Sequence, residues 1–286
     1  MDEFETEQDE FIDPKRLVNT VRKKRKLRKG RKRQSIFRKF FRFIMTIVLL
    51  CGFVYISKMP QWYLPKDSFK KVAGTSVEII NNSIVKPQMI FALLKNTEVP
   101  NVPIYMAKTE HIRKEIKKLP PVKEVYIRRY AFPARLQIIL KERVPVITIS
   151  PDLKVQPVAA FSDDGVIMKK EFLPLDKNIK TILVLSYGNK GDDYTKWNAA
   201  KIHQIEEMVN YIETYSKEKV EYVDMRNPFD IYVKIKTVNI RLGRLDESLY
   251  KRIERLPSIL PQVKLVDSKV KYLDLRWEKV FYLKLQ

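Results

Sequence analysis

The residues that most often carry out chemistry in proteins are few in this sequence. It contains two histidines, His111 and His203, and one cysteine, Cys51. Neither histidine has a cysteine, a carboxylate or a second histidine in a set that would complete a metal site. No Ser-His-acid arrangement and no pair of carboxylates indicates nucleophilic or acid–base catalysis. The sequence therefore predicts a non-enzymatic protein that uses no metal, no cofactor and no small-molecule substrate.

Two further patterns that could bind ligands are incomplete. The glycines are isolated along the chain, and Gly188 and Gly191 are the two nearest to each other. A phosphate-binding loop would require a Lys-Ser or Lys-Thr after them, and none follows. Asp163-Asp164 precede Gly165, yet an EF-type calcium loop needs acids at alternate positions and a terminal glutamate. An Asp-Gly pair between two apolar runs predicts a β-hairpin instead.

Charge is the most unusual property of the composition. The chain of 286 residues has 56 Lys and Arg against 34 Asp and Glu, a net charge of +22. Residues 1–13 carry only acids, whereas residues 14–42 carry fifteen bases and no acid. Such a basic run is compatible with a nucleic-acid contact, a localisation signal or the cytoplasmic flank of a membrane helix. The segment that follows decides among these interpretations.

An apolar segment follows the basic run directly. Residues 43–57 contain no charge, and a helix from about Phe40 to Tyr63 would span a bilayer. A buried helix of a soluble protein and a cleaved signal peptide are the competing interpretations. The stretch after the apolar run offers almost none of the small residues that a cleavage site needs. We therefore predict an uncleaved transmembrane helix at residues 43–63.

The basic flank predicts the orientation of this anchor. By the positive-inside rule, residues 1–42 form a cytoplasmic basic tail, and residues from about 65 to 286 lie outside the cytoplasm. Cys51 then lies inside the bilayer. Attraction of the tail to anionic lipid headgroups, at about 1 kcal/mol per nearby Lys or Arg, explains the run more simply than nucleic-acid binding, which we do not expect.

Residues 66–148 alternate between short strand and helix patterns. Asn81-Asn82 is a turn signal, and Pro120-Pro121 ends a helix. The predicted order is β-α-α-β-β. The predicted elements are a strand at 77–80, helices at 86–94 and after the capping residue Thr109, and strands at 122–129 and 134–143.

A series of short motifs occurs in order along this segment: Ile104-Tyr-Met, Ile112-x-x-x-Ile-x-x-Leu-Pro120, Val122-Lys-Glu-Val-Tyr-Ile-Arg-Arg129, Phe132-Pro-x-x-Leu-x-Ile138 and Lys141-Glu-Arg-x-Pro-Val146. The series resembles the POTRA domain of the FtsQ/DivIB family of bacterial cell-division proteins. A glycine usual in the first turn is replaced by Asn81-Asn82, a mild change because asparagine tolerates positive φ. Two helices on one face of a small mixed sheet would leave an edge or the other face open to another chain. Glu142-Arg143 and Arg128-Arg129 are also compatible with solvated charges at strand ends.

Residues 149–286 are richer in strand patterns and contain an internal repeat. The segment beginning at Tyr222 aligns without gaps to the segment beginning at Tyr272, with identical Tyr, Asp, Arg, Tyr and Lys positions. Two copies predict paired hairpins of one curved sheet rather than a solenoid. Further predicted elements are a hairpin at 161–167, strands at 183–187 and 238–243, and helices at 199–215 and 246–260.

This pattern is similar to the β-domain that follows POTRA in FtsQ/DivIB proteins. The predicted fold class is therefore α+β: a single-pass membrane anchor, a β-α-α-β-β POTRA domain, and a curved, mostly antiparallel β-domain with two helices. The predicted domains are a cytoplasmic basic tail at 1–42, a transmembrane helix at 43–63, a POTRA domain at 66–148 and a β-domain at 149–286.

The resemblance also implies a function and a site. It implies a divisome scaffold that binds FtsB/DivIC-like and FtsL-like proteins outside the cytoplasmic (inner) membrane, is enriched at the division septum, and helps control septal peptidoglycan synthesis. In the family, the last strand of the β-domain and its turn pair with an FtsB-like segment. Carried over by position, the partner-binding residues are Arg276, Trp277, Glu278, Lys279, Val280, Phe281, Tyr282 and Leu283.

The residue types support this choice of site. The chain given ends at Gln286, so we expect the strand from Val280 to Leu285 to be an edge that can accept another strand. Trp and Arg dominate the energetics of protein interfaces. Internal packing of Trp277 is the alternative. Glu278-Lys279 stands where the family has a Ser-Gly pair, which leaves the register of a partner strand open.

Two other classes of function compete with this interpretation. POTRA modules also serve chaperones and secretion or outer-membrane assembly components, which normally have several POTRA copies and a long barrel. Residues 149–286 are too few for such a barrel. An exported enzyme is disfavoured by the absence of a catalytic arrangement around the two histidines.

Overall fold

A computed structural model describes residues 14–70, 72, 74–188, 193–266, 270–277 and 280–285, and the side chains of 14–17 and 27–35 are outside this description. The chain divides into two compact units between Trp62 and Tyr63. The first contains one long helix, and the second contains two β-sheets with their own hydrophobic cores. Together they form the α+β class that the sequence predicts.

Helix α1 (Pro14–Ser57) includes the predicted membrane anchor. Its apolar part is Ile36–Ser57, whose 22 residues are long and apolar enough to cross a membrane. The helix ends earlier than the predicted Tyr63, and Pro60–Trp62 forms a 3₁₀ turn. Pro60 explains this difference because proline lacks an N–H and disfavours helical geometry in the preceding residue. At its other end the same helix extends without interruption into the basic run.

The first sheet has three strands and two helices in the predicted β-α-α-β-β order. Its strand order is β1-β3-β2, in which β1 is parallel and β2 antiparallel to β3. Asn81 ends the first strand with φ of 60°, the left-handed geometry that asparagine tolerates. The elements are β1 (Val77–Ile80), α2 (Pro87–Leu94), α3 (Glu110–Ile116), β2 (Val122–Tyr130) and β3 (Arg135–Glu142).

One face of this sheet packs on the two helices. Alternate residues of the strands point inward because side chains of a strand alternate between its two faces. Helix residues three and four positions apart meet them from the other side. The buried contacts include Val125, Leu136, Ile138 and Leu140 from the sheet and Ile90, Leu94, Ile112 and Ile116 from the helices.

The second sheet has nine strands among the described residues, in the order β12-β11-β10-β9-β8-β7-β4-β5-β6. The pairs β4–β7, β7–β8 and β10–β11 are parallel and the other five are antiparallel, so the sheet is mostly antiparallel as predicted. Its strands are β4 (Pro145–Ser150), β5 (Ala159–Ser162), β6 (Ile167–Lys169), β7 (Ile182–Leu185), β8 (Val220–Asp224), β9 (Ile231–Ile235), β10 (Asn239–Gly243), β11 (Val270–Asp274) and β12 (Tyr282–Leu285).

The helices of this part are α4 (Ala199–Ser216), α5 (Leu249–Ile253) and α6 (Leu256–Leu265). Their apolar side chains join those of the sheet in one buried core. The single helix predicted at 246–260 is wrong, since two helices occupy this region. Pro257 accounts for the break, because it has no N–H to donate to the carbonyl of Ile253 and is favourable only in the first turn of a new helix.

Residues 159–169 form the predicted hairpin and also link the two cores. Gly165 turns between β5 and β6 with φ of +77°, and a Cβ there would lie 2.5 Å from the backbone nitrogen of Ala199. Ala160 and Met168, on the opposite face of the hairpin from the large core, pack into the core of the three-stranded sheet. The two sheets therefore share apolar contacts.

The chain passes from the first sheet to the second at Glu142 and Arg143. Strand β4 begins at Pro145 and lies wholly in the large sheet, so the predicted domain boundary after residue 148 divides a strand. The sheet membership changes between Glu142 and Pro145 instead.

Glu142 fastens the end of β3 to the loop that leads into α2. Its two carboxylate oxygens accept hydrogen bonds at 2.8 Å from the backbone N–H groups of Ser83, Ile84 and Val85. These donors precede a helix and would otherwise lack partners. The interpretation of Glu142 as a solvated charge is therefore wrong.

Arg143 fastens the second sheet to the first. Its guanidinium donates to the carbonyl oxygens of Pro120 (2.8 Å) and Val122 (2.5 Å) and to the carboxylate of Asp164 (2.8 Å). Burial opposes the ionisation of Asp164, but the hydrogen bonds from Ser162 and Arg143 outweigh it and lower its pKa. Arg143 too is structural, whereas Arg128 is exposed as a solvated charge would be.

We predict that Glu142→Ala lowers the free energy of unfolding of residues 63–286 by about 3 kcal/mol, because three backbone donors lose a charged acceptor. Urea denaturation measures the change. Glu142→Gln keeps one acceptor oxygen and is expected to cost less. Glu98→Ala, at an exposed glutamate, is the control and should change stability by less than about 0.5 kcal/mol. Equal stability of Glu142→Ala and the control would contradict the role assigned to Glu142.

Candidate protein-interaction site

Strand β12 lies at one end of the nine-stranded sheet. Among the described residues it pairs only with β11, in antiparallel register, with Leu273 opposite Leu283 and Asp274 opposite Tyr282. One side of its backbone is therefore without a ladder partner in the part of the chain that the structure describes. An exposed row of N–H and C=O groups is a template for pairing with another strand.

The side chains along this edge alternate between the core and the surface. Phe281 and Leu283 are half-buried and pack against the large core. Val280 and Tyr282 are exposed. The edge thus has an anchored inner face and an exposed outer face, as an edge strand that receives a partner needs. The predicted site residues Glu278 and Lys279 lie outside the described residues.

Trp277 is on the surface. Its side chain is 58% exposed, so the alternative that it packs internally is wrong. Its position is fixed by its backbone, because the carbonyl oxygen accepts a hydrogen bond of 2.6 Å from the guanidinium of Arg255. A large aromatic side chain is therefore held out to solvent beside the open edge.

Arg276, in contrast, is already bound within the protein. Its guanidinium donates to both carboxylate oxygens of Asp274, with the shortest contact at 2.8 Å, and this ion pair raises the pKa of Arg276. Its stem packs on Gly243, where a Cβ would lie 3.0 Å from Cγ of Arg276. The predicted site residue thus helps to fix the chain where β11 ends.

The internal repeat builds this arrangement twice. Asp224, the last residue of β8, and Arg226 have the geometry of Asp274 and Arg276. In each pair the aspartate carboxylate accepts hydrogen bonds from the arginine two positions later, from its backbone N–H at 3.1 Å and from its guanidinium. The predicted paired hairpins of one sheet are present, since β8–β9 and β11–β12 are both antiparallel pairs.

An arginine in the strand between the two repeats joins them. Arg241 in β10 contacts Asp230 at 2.5 Å and Asp274 at 3.4 Å. Its guanidinium also lies over the rings of Tyr232 (5.5 Å) and Tyr272 (5.7 Å), at cation–π distance. These contacts hold β11 beside β10 and thereby position the edge strand β12.

The sequence alone does not predict this cluster around Arg241. The repeat aligns Tyr232 with Tyr282 and Tyr222 with Tyr272, and does not show that Tyr232 and Tyr272 meet across β10. The only sequence signal is an arginine that alternates with apolar residues in the strand between the copies, in Asn239-Ile-Arg-Leu-Gly243.

The titratable groups near the edge serve the fold. Asp274 is 4% exposed, and its burial opposes ionisation. Hydrogen bonds from the side chain and backbone of Arg276, and the charges of Arg276 and Arg241, outweigh the burial and lower its pKa. The carboxylate is thus ionised and occupied by two arginines, an arrangement that stabilises structure and offers no proton to a substrate.

The histidines lie elsewhere. His203 is exposed on α4 at 3.6 Å from Glu206, and His111 is exposed on α3. Among the residues described, no group of three or more His, Cys, Asp or Glu is placed to hold a metal ion.

The fold and the open edge define a class of protein: a single-anchor α+β protein with a POTRA-type domain, followed by a β-domain with β12 as an edge strand. Two family models match parts of this chain. The model described as "POTRA domain, FtsQ-type" matches residues 75–143, and the one described as "Cell division protein FtsQ/DivIB, C-terminal" matches residues 158–276.

The chain therefore belongs to the FtsQ/DivIB family of cell-division proteins, a family of non-catalytic division scaffolds. The first match ends at Arg143, where the sheet membership changes, and the second ends just before Trp277 and β12. No curated protein matches the chain.

The lowered pKa of Asp274 predicts a loss of stability in acid. A carboxyl group whose pKa is lower in the folded than in the unfolded chain stabilises the fold above its unfolded pKa of about 3.9, and this stabilisation disappears as the pH falls through the folded pKa. We expect Asp274→Asn to be less stable than wild type at neutral pH, with a difference that shrinks below about pH 4. Urea denaturation across this range is the measurement. A constant difference at all pH values would argue against the assignment.

Proposed function

We propose that this cell-division protein is a non-enzymatic scaffold that binds FtsB/DivIC-like and FtsL-like proteins outside the cytoplasmic membrane and helps control septal peptidoglycan synthesis. Its family membership supports the division role. The observation that carries the binding role is the open edge at β12, because strand addition uses backbone hydrogen bonds and needs no catalytic group.

The proposed topology places the basic part of α1 in the cytoplasm and residues 63–286 outside it. Fifteen bases on the N-terminal side of the apolar stretch support this orientation. The basic part and the apolar part form one continuous helix. In the proposed topology the bases next to the apolar part therefore lie at the bilayer surface, where they would contact anionic lipid headgroups.

The proposed interface combines strand pairing with side-chain contacts. An FtsB/DivIC-like strand added to β12 would extend the sheet by one strand. Trp277 and Tyr282, both more than half exposed, would provide the contact area that dominates interface energies, and Val280 would add an apolar contact. Glu278 and Lys279 are proposed to contribute charge. Arg276 is proposed to fix the chain where β11 ends through Asp274.

We predict that the double change Trp277→Ala, Tyr282→Ala weakens binding of the FtsB/DivIC-like protein from the same organism by about tenfold or more, since exposed aromatic residues at an interface are frequent hot spots. Binding of the two full-length proteins in lipid nanodiscs is the measurement. Both side chains are on the surface, so the fold should be unaffected.

Phe229→Ala provides the matched control, because Phe229 is an aromatic residue of the same domain with 59% exposure. It lies before β9, away from the edge strand in the sheet order. Equal binding by the control and the double variant would remove β12 from the proposed interface.

A fluorescent fusion to the cytoplasmic end is expected to concentrate at midcell during constriction. The physical reason is that a scaffold held by partners is enriched where those partners assemble. Microscopy of the fusion in dividing cells is the measurement. An even distribution around the cell at every stage of division would contradict the proposed role, and a chaperone or secretion component would then account better for the POTRA domain.

A further inference from the structure

We propose that a groove at the junction of the two sheets is a second protein-binding site, which takes an extended acidic segment of a partner protein. The groove is separate from β12 in the fold. Its volume is about 710 Å³, within the size range of known ligand sites. This junction groove is defined by Asn81, Ser83, Ile84, Tyr126, residues 139–145 and residues 178–180.

The floor of the junction groove is apolar. Tyr126 and Ile139 are paired across β2 and β3 on the face of the small sheet that is not covered by α2 and α3. Ile179 lies across from them, in the segment before β7, and its side chain is half-buried. Tyr126 is 53% exposed. Water-exposed apolar surface in a concave site favours an occupant with apolar side chains.

Val144 adds to this surface. It is 65% exposed and occupies the short passage between β3 and β4, at which Glu142 and Arg143 hold the backbone in place. An exposed apolar residue at a fixed position is a suitable contact for a partner, because little conformational entropy is lost when it is covered.

The acids beside the groove already have donors within the protein. Both oxygens of Glu142 accept backbone hydrogen bonds, and Glu124, beside Tyr126, accepts from the Tyr126 hydroxyl (2.5 Å) and from Lys141 (3.4 Å). These bonds lower the pKa of Glu124, the one from Tyr126 most strongly. The carboxylate oxygens near the groove are therefore occupied by donors of this chain.

Two of the three bases that line the groove are exposed. Lys180 is exposed and forms no ion pair with the residues that the structure describes. Lys141, on the other side of the floor, is 58% exposed, and its contact with Glu124 is long at 3.4 Å. Two lysines across an apolar floor are complementary to an acidic segment.

The expected occupant follows from these two properties. In an extended peptide, alternate side chains point in opposite directions. A segment that alternates apolar and acidic residues would place its apolar side chains on Ile139 and Ile179 and its carboxylates toward Lys141 and Lys180. It would contact both sheets at the point where they join, which distinguishes it from a strand added to β12.

The test uses the full-length protein in zwitterionic lipid nanodiscs and two short synthetic peptides. One peptide alternates valine and glutamate, and the other alternates valine and lysine. Fluorescence anisotropy measures the binding of each. We expect the glutamate peptide to bind and the lysine peptide not to bind.

Two variants examine the groove, and two matched variants serve as controls. Lys180→Glu is expected to weaken binding of the glutamate peptide by about two- to fivefold, the effect of a solvent-exposed ion pair, and to increase binding of the lysine peptide. Val144→Gln should also weaken binding because an apolar contact is lost. Lys154→Glu and Val155→Gln alter an exposed loop outside the groove and should leave binding unchanged.

Each alternative result has a defined meaning. The proposal is overturned if the glutamate peptide does not bind, if both peptides bind equally, or if Lys154→Glu has the same effect as Lys180→Glu. The Trp277→Ala, Tyr282→Ala variant should bind the glutamate peptide normally. Loss of binding there would assign the peptide to the β12 edge and remove it from the groove, whereas failure of the β12 interface alone would leave the groove unaffected.

Discussion

The structure depends on how the backbone is satisfied where one sheet passes into the next. Where two sheets meet, the loops and strand ends around the junction have N–H and C=O groups that no ladder pairs, and leaving such groups unpaired is costly. Glu142 accepts from the N–H groups of three residues that precede α2, and Arg143 donates to two carbonyl oxygens at the start of β2, so two adjacent side chains satisfy five such groups. Because Arg143 also binds Asp164, the same residues fix the second sheet to the first.

The edge strand is positioned by a similar use of charge within the β-domain. Among the described residues β12 forms a ladder only with β11, and β11 lies beside β10 through a parallel pair of two registered positions. So short a ladder is reinforced by Arg241, which binds Asp274 of β11 and Asp230 while lying between two tyrosine rings. Arg276 then binds the same Asp274 and fixes the chain where β11 ends. These charged groups of the β-domain therefore help to determine the position of strand β12 in the sheet.

The order of the elements could be predicted from the sequence because it depends on local patterns. Alternation in β2 and β3, the Asp-Gly turn at Gly165 and the 50-residue repeat each reflect neighbours in the chain or a simple periodicity. Contacts between distant residues could not be predicted this way. Glu142 bonds a loop 57 to 59 residues away and Arg241 bonds Asp274 33 residues away, and a charged residue in isolation does not identify its partner. The helix break at Pro257 was visible in the sequence but was outweighed by the regular spacing of leucine and isoleucine.

In the candidate site, the residue types agree with some features, whereas others follow only from the folded geometry. The edge location of β12 and the exposure of Trp277 agree with its residue types, whereas the engagement of Arg276 by Asp274 depends on the folded turn. In the proposed function this difference matters. Strand addition uses backbone hydrogen bonds, which any sequence can form, so the side chains of the edge strand can vary without loss of these backbone hydrogen bonds. What must be retained is the position of β12 at the edge of the sheet. Here that position depends on Arg241, Asp274 and Gly243, which lie in the neighbouring strands β10 and β11.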